Sequence, residues 1–191
     1  MIDHADPHTS TNDRLDALRE RIGCLCHALR FAVVAYGLWM LVAIALFWSD
    51  EHQVASHFSN VLSVDVTGAN AMQRLGASGV SLAIWLLLAA ACFSGWRLFS
   101  TYLQGRVFTP DAARWLRLLA LFGLVAALVD IAARPIMSLI LTAHKAAGQQ
   151  IVSLYLRPED VSTLALLATL LALAQIQKTA TDIADEHSQF V

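Results

Sequence analysis

The sequence predicts an all-α fold: a polytopic transmembrane four-helix bundle with both termini in the cytoplasm. Of its 191 residues, 57% are hydrophobic and 15% are charged, whereas soluble domains are about 45–50% apolar and about 25% charged. Four apolar runs approach the roughly 20 residues that a transmembrane helix needs. The basic residues lie mostly on one side of these runs, which sets the orientation.

The four predicted spans lie at about residues 29–48, 79–99, 115–134 and 161–178. The third carries charges near its end, and the fourth is slightly short but rich in leucine and alanine. A soluble bundle could bury one such helix, but four of them would leave no helix with a polar face. The pattern therefore favours a membrane protein over a soluble bundle.

The chain divides into a polar N-terminal tail and one membrane domain. Residues 1–12 are polar and predicted to be disordered, and residues 13–191 form a single four-span domain. Leucines and isoleucines at helical spacing over 15–29 predict an amphipathic helix, along the membrane surface or straight into the first span. The long polar stretch before the first apolar run is typical of a retained anchor rather than a cleaved signal.

The orientation follows from the distribution of arginine and lysine. Nine basic residues fall on the side of the two termini and three on the other. The nine are Arg14, Arg19, Arg21, Arg30, Arg97, Arg106, Arg114, Arg117 and Lys178, and the three are Arg74, Lys145 and Arg157. Because cytoplasmic loops are enriched in these residues, both ends are predicted to be cytoplasmic.

A tight cytoplasmic turn is predicted between the second and third spans. Thr109 is a predicted N-cap, followed by a proline at the first helical position and an acid in the first turn. Gly105, three residues after Tyr102, is a predicted C-cap. Phe108 completes the turn, which makes the two helices an antiparallel hairpin.

The two segments on the other side are residues 49–78 and the link between the third and fourth spans. Residues 61–66 and 150–156 are rich in β-branched residues. These stretches either pair into a small extracytoplasmic β-sheet or form two irregular loops.

Asp130 and Arg134 lie four residues apart in the third span, so they share one helix face. Charged groups at membrane depth are costly and are usually paired or functional. The two readings are a structural ion pair at the interface and a contact for a ligand or ion. Pro135 follows directly and is expected to kink or end the helix, which leaves residues 136–143 as an interfacial helix or a kinked extension.

No metal, cofactor or catalytic site is predicted. Cys24 and Cys26 point about 200° apart on a helix, and His27 adds only one further ligand where a structural zinc needs four. Cys92 is expected to pack among apolar groups. The sequence contains no nucleophile–base pair or phosphate loop, and a net charge of −2 argues against direct nucleic-acid binding.

One face of the fourth span carries the small residues Ala165, Ala168 and Ala172 together with Gln175, whose amide can hydrogen-bond across helices. Ala91 with Gly95, and Gly123 with Ala127, repeat this spacing in the second and third spans. Small residues allow helices to approach closely. They indicate the bundle interior or, alternatively, a homodimer interface.

The C-terminal segment carries Asp182, Asp185 and Glu186 on one helical face. This face is either a solvated end or an acidic docking surface for a basic cytoplasmic partner. Two functions remain in competition: a regulatory or sensory membrane protein, and a small transporter or channel subunit. An enzyme is not predicted.

Four stretches of the chain resemble a bacterial family, the domain-of-unknown-function family numbered twenty-nine seventy-five. They are residues 73–75, 99–109, 156–161 and 183–191. The resemblance, which extends from about residue 30 to the end, implies a four-span protein of the bacterial inner membrane. It implies no enzyme activity or cofactor, and it suggests a cytoplasmic helix-turn-helix regulator as partner.

Overall fold

Five helices make up the described part of the protein. The structure, a computed structural model, describes the backbone of residues 7–62, 70–106, 109–143 and 156–188. The helices are α1 (Pro7–Ser49), α2 (Glu51–Leu62), α3 (Ala71–Leu103), α4 (Pro110–Thr142) and α5 (Pro158–Ser188). All but α2 are long and apolar enough to cross a membrane, which confirms four helices of spanning length.

The long helices pack in chain order as an open series. α1 lies against α3, α3 against α4, and α4 against α5, while no described Cα of α1 comes within 8 Å of α5. The bundle is therefore not closed into a ring. A gap remains between the first and last helices, and we call it the lateral groove.

Arginine–tryptophan contacts define one end of the series, which we call the basic end. The guanidinium of Arg30 lies 5.0 Å from the centre of the Trp96 ring, and that of Arg97 lies 5.1 Å from Trp115. Such cation–π pairs hold α1, α3 and α4 together at an end where tryptophan also suits a membrane interface.

The turn at the basic end has the predicted caps. Gly105 has a φ of 75°, and its N–H bonds to the carbonyl of Tyr102 while the next N–H bonds to that of Thr101. This is the Schellman arrangement, and it confirms the C-cap. Thr109 accepts a hydrogen bond from the N–H of Ala112 as the N-cap of α4. Phe108 lies outside the described residues.

Two indole donors fasten α1 to α3. Trp85 donates from Nε1 to the carbonyl oxygen of Gly37 over 2.9 Å, and Trp48 donates to the Ser81 hydroxyl over 3.1 Å. A glycine leaves its carbonyl open to a neighbouring helix because no side chain covers it. In an apolar setting both indole N–H groups need such a partner.

α2 covers the other end of the series, which we call the capped end. Asp50 caps this helix by accepting from the N–H groups of His52 and Gln53. Val54 and Phe58, one turn apart, are buried against Ala77 of α3 and Leu141 of α4. The sequence does not predict this helix, because twelve residues with two apolar anchors give a weak periodic signal.

No strand occurs among the described residues. The first two residues of the β-prone stretch 61–66 form the end of α2, and the rest of that stretch lies outside the described residues. Of the stretch 150–156, only Leu156 is described, and it is not in a strand. The predicted β-sheet therefore has no support in the described part of the chain.

The helix boundaries correct one prediction and decide between two alternatives that the sequence leaves open. α1 begins at Pro7, within the segment 1–12 for which disorder is predicted, and it continues straight into the first span. α4 passes through Pro135 and ends at Thr142, so residues 136–142 extend the same helix. Two hydroxyls in this last stretch donate back to helix carbonyls: Ser138 to that of Pro135 and Thr142 to that of Ser138.

α5 buries a different face from the one that the small residues indicate. Ala165, Ala168, Ala172 and Gln175 are all exposed, so their interpretation as bundle interior is wrong. α5 instead inserts Leu167 toward Gly123, where an added Cβ would come within 2.8 Å of the leucine side chain. Among the described residues α5 comes within 8 Å, Cα to Cα, of α4 alone, and its buried residues Ala174 and Thr181 lie on the same face as Leu167. The homodimer interpretation of the exposed face stays a prediction.

Candidate functional site

Arg134 joins α4 to α5 near the capped end. Its guanidinium donates to Asp130 Oδ2 over 2.8 Å, as the sequence predicts. It also forms a bidentate ion pair with Asp160, at 2.5 Å to Oδ2 and 2.7 Å to Oδ1. Parallel hydrogen bonds of this kind are strong and fix the geometry of both side chains. We call Asp130, Arg134 and Asp160 the arginine clamp.

Asp160 is positioned by the start of α5. Pro158 occupies the first helical position, which places Asp160 two residues further into the first turn. Its Oδ2 accepts the backbone N–H of Arg157 over 2.8 Å, and the positive end of the helix dipole favours a carboxylate there. The side chain of Asp160 is therefore oriented before it meets Arg134.

The two carboxylates of the clamp differ in exposure. The side chains of Arg134 and Asp160 are 12% and 13% exposed, whereas that of Asp130 is 46% exposed. Asp160 accepts hydrogen bonds on both oxygens, while Asp130 accepts only on Oδ2 among the described residues. The clamp thus has a closed side at Asp160 and an open side at Asp130.

Sequence reasoning identified Asp130 and Arg134 but not Asp160 as the main partner. The pair spans 26 residues, so helical spacing could not reveal it. A usable signal was present: Asp160 begins the fourth span at the same end of the membrane at which Arg134 leaves the third.

The lateral groove opens beside the clamp. It is a cavity of about 640 Å³ bounded by apolar side chains of α1, α3, α4 and α5. Its only charged lining residues, within the described chain, are Asp130 and Asp160. One end of the groove is therefore acidic and the remainder is apolar.

His57 of α2 lies in an aromatic cluster at the capped end. Its ring centre is 5.3 Å from that of Phe47 and 5.8 Å from that of Phe58. Partial burial and the positive charge of Arg157 hold the pKa of His57 below its usual value. The lowered pKa favours a neutral His57 when α2 is packed on α3 and α4. An ion pair between Glu51 and Arg74, at 2.8 Å, also holds α2 in this position.

The remaining candidate residues do not form a shared site. Cys24 is exposed, Cys26 is buried and Cys92 is half-buried. Within the described residues, no three metal-binding side chains come together. Asp182 is exposed on α5; Asp185 and Glu186 belong to the same helix, but their side chains lie outside the described part of the chain.

Comparisons with known proteins gave no match: no family model, no curated protein and no solved structure is similar to this chain. The resemblance to the bacterial family named above therefore stays a prediction.

The closed side of the clamp is expected to carry most of its stability. Asp160→Asn removes the carboxylate that accepts from both Nη atoms of Arg134, and should destabilise the protein by about 3 kcal/mol. Asp130→Asn removes one bond at a more exposed position and should cost about 1 kcal/mol or less. Reversible unfolding in mixed micelles measures both, with the exposed Asp182→Asn as control. Equal losses of unfolding free energy in Asp160→Asn and Asp130→Asn would contradict this account.

Docking of α2 is expected to weaken in acid. The pKa of His57 is lower in the folded protein than its ordinary value of about 6.5. The contribution of neutral His57 to the packing of α2 is therefore complete above about pH 6.5, and it is lost as the pH falls through the lowered pKa. Hydrogen exchange of α2 amides, corrected for intrinsic rates, should show less protection at acid pH.

The matched variants are His57→Gln and His52→Gln, because both residues lie on α2 and only His57 packs in the aromatic cluster. His57→Gln should remove the pH dependence, and His52→Gln should keep it. A pH dependence that survives His57→Gln would assign the effect to another group.

Proposed function

We propose that this protein is a sensory or regulatory protein of the bacterial inner membrane. In this proposal both termini are cytoplasmic, the capped end faces outward, and α5 carries a signal from the arginine clamp to an acidic docking surface. The observation that supports it best is the continuity of α5, which begins at the clamp and runs unbroken to Ser188.

The length of α5 suits this role. From Asp160 to Asp182 the helix rises about 33 Å at 1.5 Å per residue, which exceeds the roughly 30 Å of a bilayer core. A helix that is hydrogen-bonded throughout moves as a unit, so a change at Asp160 displaces the other end. In the described part of the chain, α5 comes within 8 Å, Cα to Cα, of α4 only, so few contacts resist that movement.

The C-terminal part of α5 provides a surface for a partner of opposite charge. Asp182 is exposed, and positions 185 and 186 follow one turn later on the same helix. Acidic surfaces attract basic proteins and orient them. DNA-binding regulators are basic because they contact phosphates, which makes a regulator of that class the proposed partner.

The competing function, a small transporter or channel subunit, has less support. A conducting pathway needs polar groups along its length, as ion pathways in membranes do. The lateral groove has its charged groups at one end only, and the rest of its lining is apolar apart from Thr163 and Cys92.

Partner capture tests the proposal. The full chain, the chain without residues 179–191, and the charge-neutral variant Asp182→Asn/Asp185→Asn/Glu186→Gln are recovered from detergent-solubilised membranes. The full chain should retain a DNA-binding protein that both altered forms lose. The control is Asp111→Asn, which removes an exposed acid from the basic end without changing α5. Absence of any such protein, together with solute flux in liposomes, would overturn the proposal.

Thiol labelling in spheroplasts tests the orientation. Cys24 is exposed on α1, ahead of the apolar segment. In a background without Cys26 and Cys92, an impermeant thiol reagent should modify Cys24 only after permeabilisation, whereas a cysteine replacing Ser59 of α2 should react in intact spheroplasts. The reverse pattern would invert the proposed topology.

A further inference from the structure

The lateral groove has the form of a binding site for an elongated apolar group. Val33 and Met40 of α1 form one side, and Leu167 and Leu170 of α5 form the other. Leu88 of α3 and Leu119 of α4 lie between them. The cavity of about 640 Å³ falls in the range of about 300–1,000 Å³ that small-molecule sites occupy.

The length of the groove matches one leaflet of a bilayer. Along α4 the lining extends from Leu119 to Asp130, about 16 Å at 1.5 Å per residue. Half of a bilayer core is about 15 Å. An acyl chain that begins at the level of Asp130 would therefore reach the level of Leu119.

The acidic end of the groove selects the headgroup. Both charged side chains in the lining are carboxylates, and Arg134 already occupies both oxygens of Asp160. Asp130 is the half-exposed member, and among the described residues no donor reaches its Oδ1. The arginine clamp holds two carboxylates against one guanidinium, and this excess negative charge attracts a cationic headgroup and repels an anionic one.

We propose that the lateral groove binds one acyl chain of a bilayer amphiphile whose ammonium headgroup pairs with Asp130. The ligand enters sideways from the membrane, because no described Cα of α1 comes within 8 Å of one in α5. This site goes beyond the sensory function proposed above and does not depend on it.

Photo-cross-linking tests the site directly. The full-length protein in nanodiscs of an anionic phospholipid receives one of two probes with the same diazirine-bearing alkyl chain, one headed by trimethylammonium and the other by sulfate. Peptide mapping should find the ammonium probe on groove residues such as Leu88, Leu119 and Leu167. Labelling there should exceed that by the sulfate probe roughly tenfold, which corresponds to about 1.4 kcal/mol.

Two pairs of variants separate the contribution of the probe's headgroup from that of its alkyl chain. Asp130→Asn should abolish the preference for ammonium, while Asp182→Asn, at the other end of the protein, should keep it. Ala127→Phe fills the groove and should remove labelling by both probes, whereas Ala172→Phe, on the exposed face of α5, should not.

The proposal can be tested even if Asp130→Asn folds poorly, because labelling of the wild type and of Ala127→Phe is enough to contradict it. Equal labelling of groove residues by the two probes in the wild type would overturn the headgroup assignment. Labelling that Ala127→Phe leaves unchanged would show that the probes react from the surrounding lipid, and would overturn the site itself.

Discussion

A guanidinium cannot lie near the apolar part of a membrane without partners, and Arg134 obtains its partners from two helices. An unpaired buried charge costs several kcal/mol, which is comparable to the whole stability of many domains. Asp130 on its own helix is too exposed to meet this requirement alone. Arg134 therefore requires Asp160 as a second partner. This ion pair determines where α5 begins, which face it turns to α4, and its place at the end of the series.

The rest of the described fold follows the same constraint, that polar groups in an apolar setting find partners. Trp85 donates to the carbonyl of Gly37, and Trp48 donates to Ser81. Arginines at the basic end lie over tryptophan rings. These contacts are directional, whereas leucine packing in lipid is not, so they determine which helices become neighbours. The open series and its lateral groove result because, over the residues that the structure describes, no such contact joins α1 to α5.

Local signals in the sequence predicted local structure well. The four apolar runs, the caps at Gly105 and Thr109, and the pair of Asp130 with Arg134 all depend on residues close together in the chain. Three features escaped prediction because they depend on packing. α2 becomes a helix by covering Ala77 and Leu141, and Asp160 meets Arg134 only after α5 docks. α5 turns the face that carries Leu167 and Ala174 to α4, rather than the face that carries Ala168.

The central claim is that the arginine clamp controls the position of α5 at the opposite end of the protein. Spin labels on cysteines that replace Arg117 of α4 and Thr179 of α5, in a background without the native cysteines, report the distance between these helices at the basic end. Asp160→Asn should shift or broaden this distance distribution by several ångströms, and Asp182→Asn should leave it unchanged. An identical distribution with and without the Asp160 carboxylate would contradict the account, because the clamp would then hold α5 only where it binds.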